Sequence, residues 1–189
     1  MARGLLASEP VFREAMESCE KAIRPLVDWS LMELLTAPEH SPRFEDIDVI
    51  QPTLFAIQVS LAALWRSWGV EPDAILGHSL GEVAGAYVAG VLSLEDAAKV
   101  ICHRSRLMKL TSGQGAMAVV GLSVEQTSEL LKGYENRLSI AVSNSPRSTV
   151  ISGEPTALET VLDTLRAKNI FCRPVKVDVA SHRDRKSVV

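Results

Sequence analysis

Two rhythms of apolar and polar residues divide the chain. Before about residue 110 the spacing is mostly helical; after it, short apolar runs alternate with amphipathic segments. Ser8 with Pro10 marks a helix start, and Phe12, Ala15, Met16 and Cys19 carry a helical face to Ile23. A second apolar stretch covers 31–35 and leads into a proline- and polar-rich loop at 37–43. Gln51-Pro52 opens a long helix to Trp68, apolar nearly all round and so expected to be buried, with Gly69 as its stop. Residues 74–76 read as a strand and 80–88 as a helix of small residues. The helix from Ser93 to about Leu110 opens on a capping-box-like Ser-Leu-Glu-Asp. Its apolar stripe is Leu94, Ala97, Val100, Ile101 and Met108, with Arg104 in the middle and Glu95, Lys99, His103 and Arg106 on the far side.

The later rhythm predicts strands at 116–120, 138–142, 149–152 and 170–177. Helices fall at 124–131, behind the capping box Ser123–Gln126, and at 155–168, and a turn at 144–147 joins the middle strands. The order β-α-β-β-α-β is that of a ferredoxin-like unit with helices on one face. The fold class is therefore α/β. Residues 1–114 form a larger, incomplete part, because one parallel strand at 74–76 is no sheet without neighbours. Residues 115–177 form the small subdomain, 178–182 a return segment, and 183–189 a tail.

Composition narrows the classes. The 189 residues are 47% apolar and 23% charged, with a net charge of −3, the balance of a soluble globular chain. That charge makes no case for nucleic acid or a membrane surface as partner. Apolar runs are broken by charge or too short to span a bilayer, and the N-terminus lacks the apolar core of a signal peptide, so a cytoplasmic location is expected. Cys19, Cys102 and Cys172 have no metal-like spacing and read as free thiols; no metal is expected.

Candidate chemistry centres on Gly77-His78-Ser79-Leu80-Gly81. Gly-x-Ser-x-Gly between a strand and a helix is the setting of a nucleophilic serine on a sharp turn. Glycines on both sides would relieve crowding. The turn lifts the Ser79 hydroxyl clear and sets the amide of Leu80 at a helix N-terminus, where it can donate to an oxyanion. Arg104 on an apolar face needs an anion. A structural carboxylate or a snorkelling side chain would serve, and so would a substrate carboxylate gripped by the guanidinium fork. Of the histidines, His40 sits in a loop, His78 is expected to point away from the nucleophile and His103 lies on the polar helix face. His182 follows the last strand, a reasonable place for a base facing Ser79.

These residues together resemble the malonyl/acyl-transferase family, and closely the acyltransferase domains of modular polyketide synthases. The resemblance rests on Gly77-His78-Ser79-Leu80-Gly81-Glu82, the stretch 89–97, Arg104 within Arg-Ser-Arg-Leu-Met, Gln51-Pro52, Asn144-Ser145-Pro146, Val150-Ile151-Ser152-Gly153 and Val179-Ala180-Ser181-His182. It implies an α/β-hydrolase-like large subdomain with the ferredoxin-like unit inserted. It implies Ser79 and His182 as the catalytic pair, with a backbone carbonyl rather than an acid orienting the histidine. It implies Arg104 as the carboxylate clamp, with Gln51 and Ser181 near the substrate. The reaction implied moves a malonyl or methylmalonyl unit from coenzyme A, through an acyl-serine, to an acyl carrier protein thiol in polyketide or fatty-acid biosynthesis. No cofactor is implied beyond the coenzyme A substrate and the partner's phosphopantetheine, and neighbouring synthase domains are the other partners. Leu80 resembles malonyl-selective members and Val179-Ala180-Ser181-His182 methylmalonyl-selective ones; the reading favours malonyl.

Members of the family begin with a strand and a glycine/glutamine motif and continue well past the histidine, so the chain is expected to be a fragment that could be inactive. Its end, Asp-Arg-Lys-Ser-Val-Val, can be encoded by GATCGGAAGAGCGTCGTG, a common sequencing-adapter string, and is expected to be non-native. A serine hydrolase or editing thioesterase is the competing reading. Arg104 separates the two, since a plain esterase has no use for a cation in its acyl pocket.

Overall fold

A computed structural model describes residues 2–37 and 42–175. The chain forms two compact units, Met1–Lys109 and Leu110–Val189, a division ahead of the expected one at 114.

The first unit is helical among the described residues: α1 (Arg3–Ser8), α2 (Pro10–Ile23), α3 (Leu31–Thr36), α4 (Ile47–Ser67), α5 (Gly81–Val88) and α6 (Leu94–Lys109). Pro10 opens α2, where its fixed φ suits the first turn and its missing amide costs nothing. Ser30 caps α3 by accepting from the Glu33 amide at 3.2 Å. The Glu20 carboxylate on α2 accepts from the next two amides of that turn, Leu31 at 2.6 Å and Met32 at 3.3 Å, and so ties α3 to α2. Phe12, Met16, Cys19, Ile23, Leu31, Phe55, Ala97 and Ile101 are fully buried and knit α2, α3, α4 and α6 into one core.

Helix α4 departs from expectation in three ways. It starts at Ile47, so Pro52 lies inside it rather than at its mouth. Lys109 at the end of α6 pairs with Asp48 at 2.8 Å and Asp46 at 3.4 Å, pinning that extra turn. The helix is also not buried all round. Trp65 and Trp68 are 52% and 57% exposed and meet edge to face, ring centroids 5.4 Å apart. Finally, the added turn gives a 21-residue helix that contains an 18-residue stretch of mean hydropathy 1.5, long and apolar enough by those measures to cross a membrane, which corrects the expectation that no run is. Half of it is buried inside the protein, its apolar face against α2 and α6.

Residues 74–76, expected as a strand, form none. No described strand lies beside them to complete a ladder, and Leu76 is 99% exposed.

The second unit carries the described strands: β1 (Ala116–Val120), β2 (Leu138–Ser145), β3 (Ser148–Gly153) and β4 (Cys172–Pro174), with α7 (Val124–Leu130) and α8 (Pro155–Ala167) between them. The sheet order is β2-β3-β1-β4 and every pairing is antiparallel. Period-2 alternation puts Ala118 and Val120 of β1 on one face with Ile151 and Leu138, against Leu158, Val161, Leu162 and Leu165 of α8. The Ser123–Gln126 capping box forms as expected: Ser123 Oγ accepts from the Gln126 amide, and Gln126 Oε1 from the Ser123 amide. Strand β2 is longer than predicted and its pairing shifts register twice, between Ile140 and Val142 and between Ser143 and Ser145. Residues 176–189, which include the return segment and the tail, lie outside the described residues.

Candidate active site

The turn before α5 holds Ser79 at φ 56°, a left-handed conformation rare for a residue with a side chain. Such a residue stores on the order of 1–3 kcal/mol of strain, which its surroundings must impose. Gly77 is part of that imposition. A Cβ there would stand 2.3 Å from Glu82 Cα and 2.4 Å from its amide nitrogen, both backbone atoms. Gly81 is different: its nearest neighbour to an added Cβ is Gln58 Nε2 at 3.9 Å. Only the first of the two flanking glycines is required for space, contrary to the symmetric expectation. Gly85, a turn into α5, brings the helix against residues 75–77; its Cβ would meet Ile75 Cγ2 at 3.2 Å.

Helix α5 starts immediately after the turn, with the Gly81 and Glu82 amides donating to the His78 and Ser79 carbonyls at 2.9 and 3.1 Å. Leu80 occupies the N-cap, which places its amide at the positive end of the helix.

Arg104 comes to the serine from α6. Its Nη2 donates to Ser79 Oγ at 2.9 Å, and its Nη1 donates to Gln51 Oε1 on α4. Gln51 is 6% exposed, and its Nε2 donates to Met108 Sδ at 3.3 Å, one turn beyond Arg104. Among the described residues no carboxylate lies within ion-pair distance of Arg104, whose guanidinium meets Gln51 and Ser79 instead.

The expected stripe on α6 needs one correction. Val100 is 44% exposed, while Ala98, Cys102 and Ser105 join Ala97 and Ile101 in the buried set. The buried arc is therefore centred towards 98 and 102, and Arg104 with Met108 lies half-buried at its rim. A rim position lets a cation meet both a buried amide and a ligand.

The other candidates separate cleanly. His78 and His103 are exposed. His40, Ser181 and His182 fall outside the described residues. Cys19 and Cys102 are buried thiols; burial pushes them up from 9.0 to about 12 and about 11, which keeps them protonated and inert. A cavity of about 420 Å³ in the first unit, lined by Trp29, Asp48, Cys102 and Arg106 among others, contains none of the expected site residues. The link from Gln51 to Met108 was missed, because Met108 reads as one more apolar residue. Its place four residues after Arg104, on the same face, is the signal that was there to use.

The described site thus holds a strained serine at a helix N-terminus, bonded to a half-buried arginine. The family model described as acyl transferase domain matches residues 1–187, and the chain belongs to that family. It is 48% identical over 182 residues to Erythronolide synthase EryA2 of Saccharopolyspora erythraea, covering 96% of this chain and 5% of that protein. It is 50% identical over 182 residues to Polyketide synthase GfsE of Streptomyces halstedii, with the same coverages, 96% and 5%. The chain thus spans a small part of the curated relatives it matches. Among solved structures, a loading acyltransferase from the avermectin modular polyketide synthase superposes with a TM-score of 0.92 at 43% identity, over 97% of this chain and 59% of that one. The acyltransferase domain from module 8 of the salinomycin polyketide synthase gives 0.91 at 43% identity, over 96% and 43%.

Proposed function

We propose that the chain is the acyltransferase part of a modular polyketide synthase and moves a malonyl or methylmalonyl extender unit from coenzyme A to the phosphopantetheine thiol of an acyl carrier protein. The observation that carries the proposal is the 2.9 Å hydrogen bond from Arg104 Nη2 to Ser79 Oγ. It sets a cation, with no carboxylate in ion-pair distance among the described residues, one bond from the nucleophile, where the free carboxylate of an extender unit would lie.

The steps of this reading are those the family resemblance implies. His182 takes the Ser79 proton, Oγ attacks the thioester carbonyl, and the oxyanion is met by the Leu80 amide. The carbon–sulfur bond breaks and coenzyme A leaves as the thiol, taking the proton from His182. The carrier protein's thiol then attacks the acyl-serine by the same route and restores the Ser79 hydroxyl. Arg104 grips the extender carboxylate throughout, with Gln51 beside it; Ser181 is the further substrate residue that the resemblance implies. The Ser79 contact releases as the carboxylate arrives, so substrate binding frees the nucleophile. On this reading the serine belongs to an α/β-hydrolase-like part, and the β-α-β-β-α-β unit, whose sheet order is β2-β3-β1-β4, supports a ferredoxin-like insert. Malonyl is the favoured extender, neighbouring synthase domains the wider partners and the cytoplasm the location.

The test is loading of Ser79 followed by intact mass. Malonyl-coenzyme A is expected to add a malonyl group, and acetyl-coenzyme A to load poorly. Arg104→Ala should cut malonyl loading roughly ten- to hundredfold, the range for a lost charge-assisted hydrogen bond, and leave acetyl loading unchanged. Equal loading of the two thioesters by the parent, or malonyl loading untouched by Arg104→Ala, favours the serine hydrolase reading instead.

A further inference from the structure

Gln51 lies between two side chains of opposite hydrogen-bonding character. Arg104 is a donor only and Met108 an acceptor only. They sit one turn apart on α6, and Gln51 reaches across from α4 to both, its Oε1 to Arg104 Nη1 and its Nε2 to Met108 Sδ at 3.3 Å. Only one amide orientation satisfies the pair. Reversed, the amide would turn its N–H groups on the guanidinium and its oxygen on the thioether.

We infer that Met108 is a positioning residue: by accepting from Gln51 Nε2, it fixes the amide so that the carbonyl oxygen holds one arm of the Arg104 fork, leaving the other arm at Ser79. The inference rests on the carboxylate-clamp reading for its effect on substrate, but not for the geometry itself. The chain of contacts runs Met108, Gln51, Arg104, Ser79, and it alternates acceptor and donor at every link. A neutral amide suits this task, because it orients the cation without neutralising it. The thioether suits it too, since a weak acceptor holds the amide without drawing it off Arg104.

Met108→Leu keeps the volume and removes the acceptor, and Met108→Gln restores an acceptor at similar reach. Two measurements go together on the full chain. The first is solvent exchange of the Gln51 side-chain amide by NMR, the signal assigned by its loss in Gln51→Glu. The second is KM and kcat for loading from malonyl- and acetyl-coenzyme A. Met108→Leu is expected to abolish the amide's protection and to raise the malonyl KM by about three- to tenfold, as for one weak neutral hydrogen bond, with kcat and acetyl loading unchanged. Met108→Gln should return both towards the parent. A Met108→Leu chain with the parental amide signal and parental malonyl KM overturns the inference. Equal impairment of the Leu and Gln variants overturns it as well, since that marks packing alone. Failure of the clamp reading looks different: Arg104→Ala leaves malonyl loading intact, while the amide still responds to Met108→Leu.

Discussion

Gly77 and Gln51 are the two single residues on which the site geometry most depends. At Gly77 the obstacle is backbone, Glu82 Cα at 2.3 Å from a Cβ, so no side-chain adjustment can relieve it. Gly77→Ala should therefore cost about 3 kcal/mol or more of stability, measured by urea denaturation, whereas Gly81→Ala, with nothing nearer than 3.9 Å, should cost little. At Gln51 the argument concerns charge. Gln51→Glu would turn the neutral acceptor of Arg104 into an anion that competes with a substrate carboxylate. Malonyl KM should rise roughly tenfold or more while acetyl loading stays level, and a steady malonyl KM would show that Gln51 does not share the fork. The buried thiols give a pH test. In the folded chain Cys19 and Cys102 hold their protons to about 12 and about 11, while unfolded they release them near 9.0. Raised folded values mean that their contribution to stability is full below pH 9.0 and is lost as pH climbs from there towards the folded values. A thiol reagent at pH 8 should accordingly spare both until denaturant is added.

Elements show how far the sequence could be read, and why it stopped. Helices with a clear cap and a one-sided apolar face were legible to within a residue or two. α2 begins at Pro10, and α7 begins behind a capping box that forms both of its hydrogen bonds. Ser123→Ala removes the side-chain half of that box and should lower stability by about 1 kcal/mol in a thermal melt. The box-like start of α6 is only half formed. Ser93 Oγ accepts from the Asp96 amide at 3.1 Å, but the shorter Asp96 carboxylate accepts from that same hydroxyl at 3.0 Å. What failed to be legible depends on distant partners. The start of α4 moved back to Ile47 because Lys109, far along the chain, ties Asp46 and Asp48 in place, and Gln51-Pro52 looks like a helix opening when read alone. The run 74–76 has strand composition, but a strand exists only by pairing. Within the site, the turn at Ser79 and the misplaced charge at Arg104 could be read from spacing. The amide that joins them to Met108 could not, since its orientation is set by two helices at once.

At the scale of the molecule, the described residues form two hydrophobic cores. One is built from residues between Leu6 and Cys102, the other from residues between Ala118 and Leu165, and no buried residue belongs to both clusters. The Ser79–Arg104–Gln51 constellation lies wholly on the first, held by α4, α5 and α6. Because each core closes on itself, damage to one should stay local. Leu162, 1% exposed on α8, sits at the centre of the second core. Leu162→Ala should cost about 2–5 kcal/mol there, the usual range for a fully buried leucine. Read by hydrogen exchange with peptide-level mass spectrometry, the faster exchange should be confined to peptides after Leu110, with α2, α4 and α6 keeping their parental protection. Phe12→Ala, at the centre of the first core, should give the mirror result and leave β1, β3 and α8 protected. If either substitution instead speeds exchange evenly through both units, the chain unfolds as one cooperative body and the two cores are not separate sources of its stability.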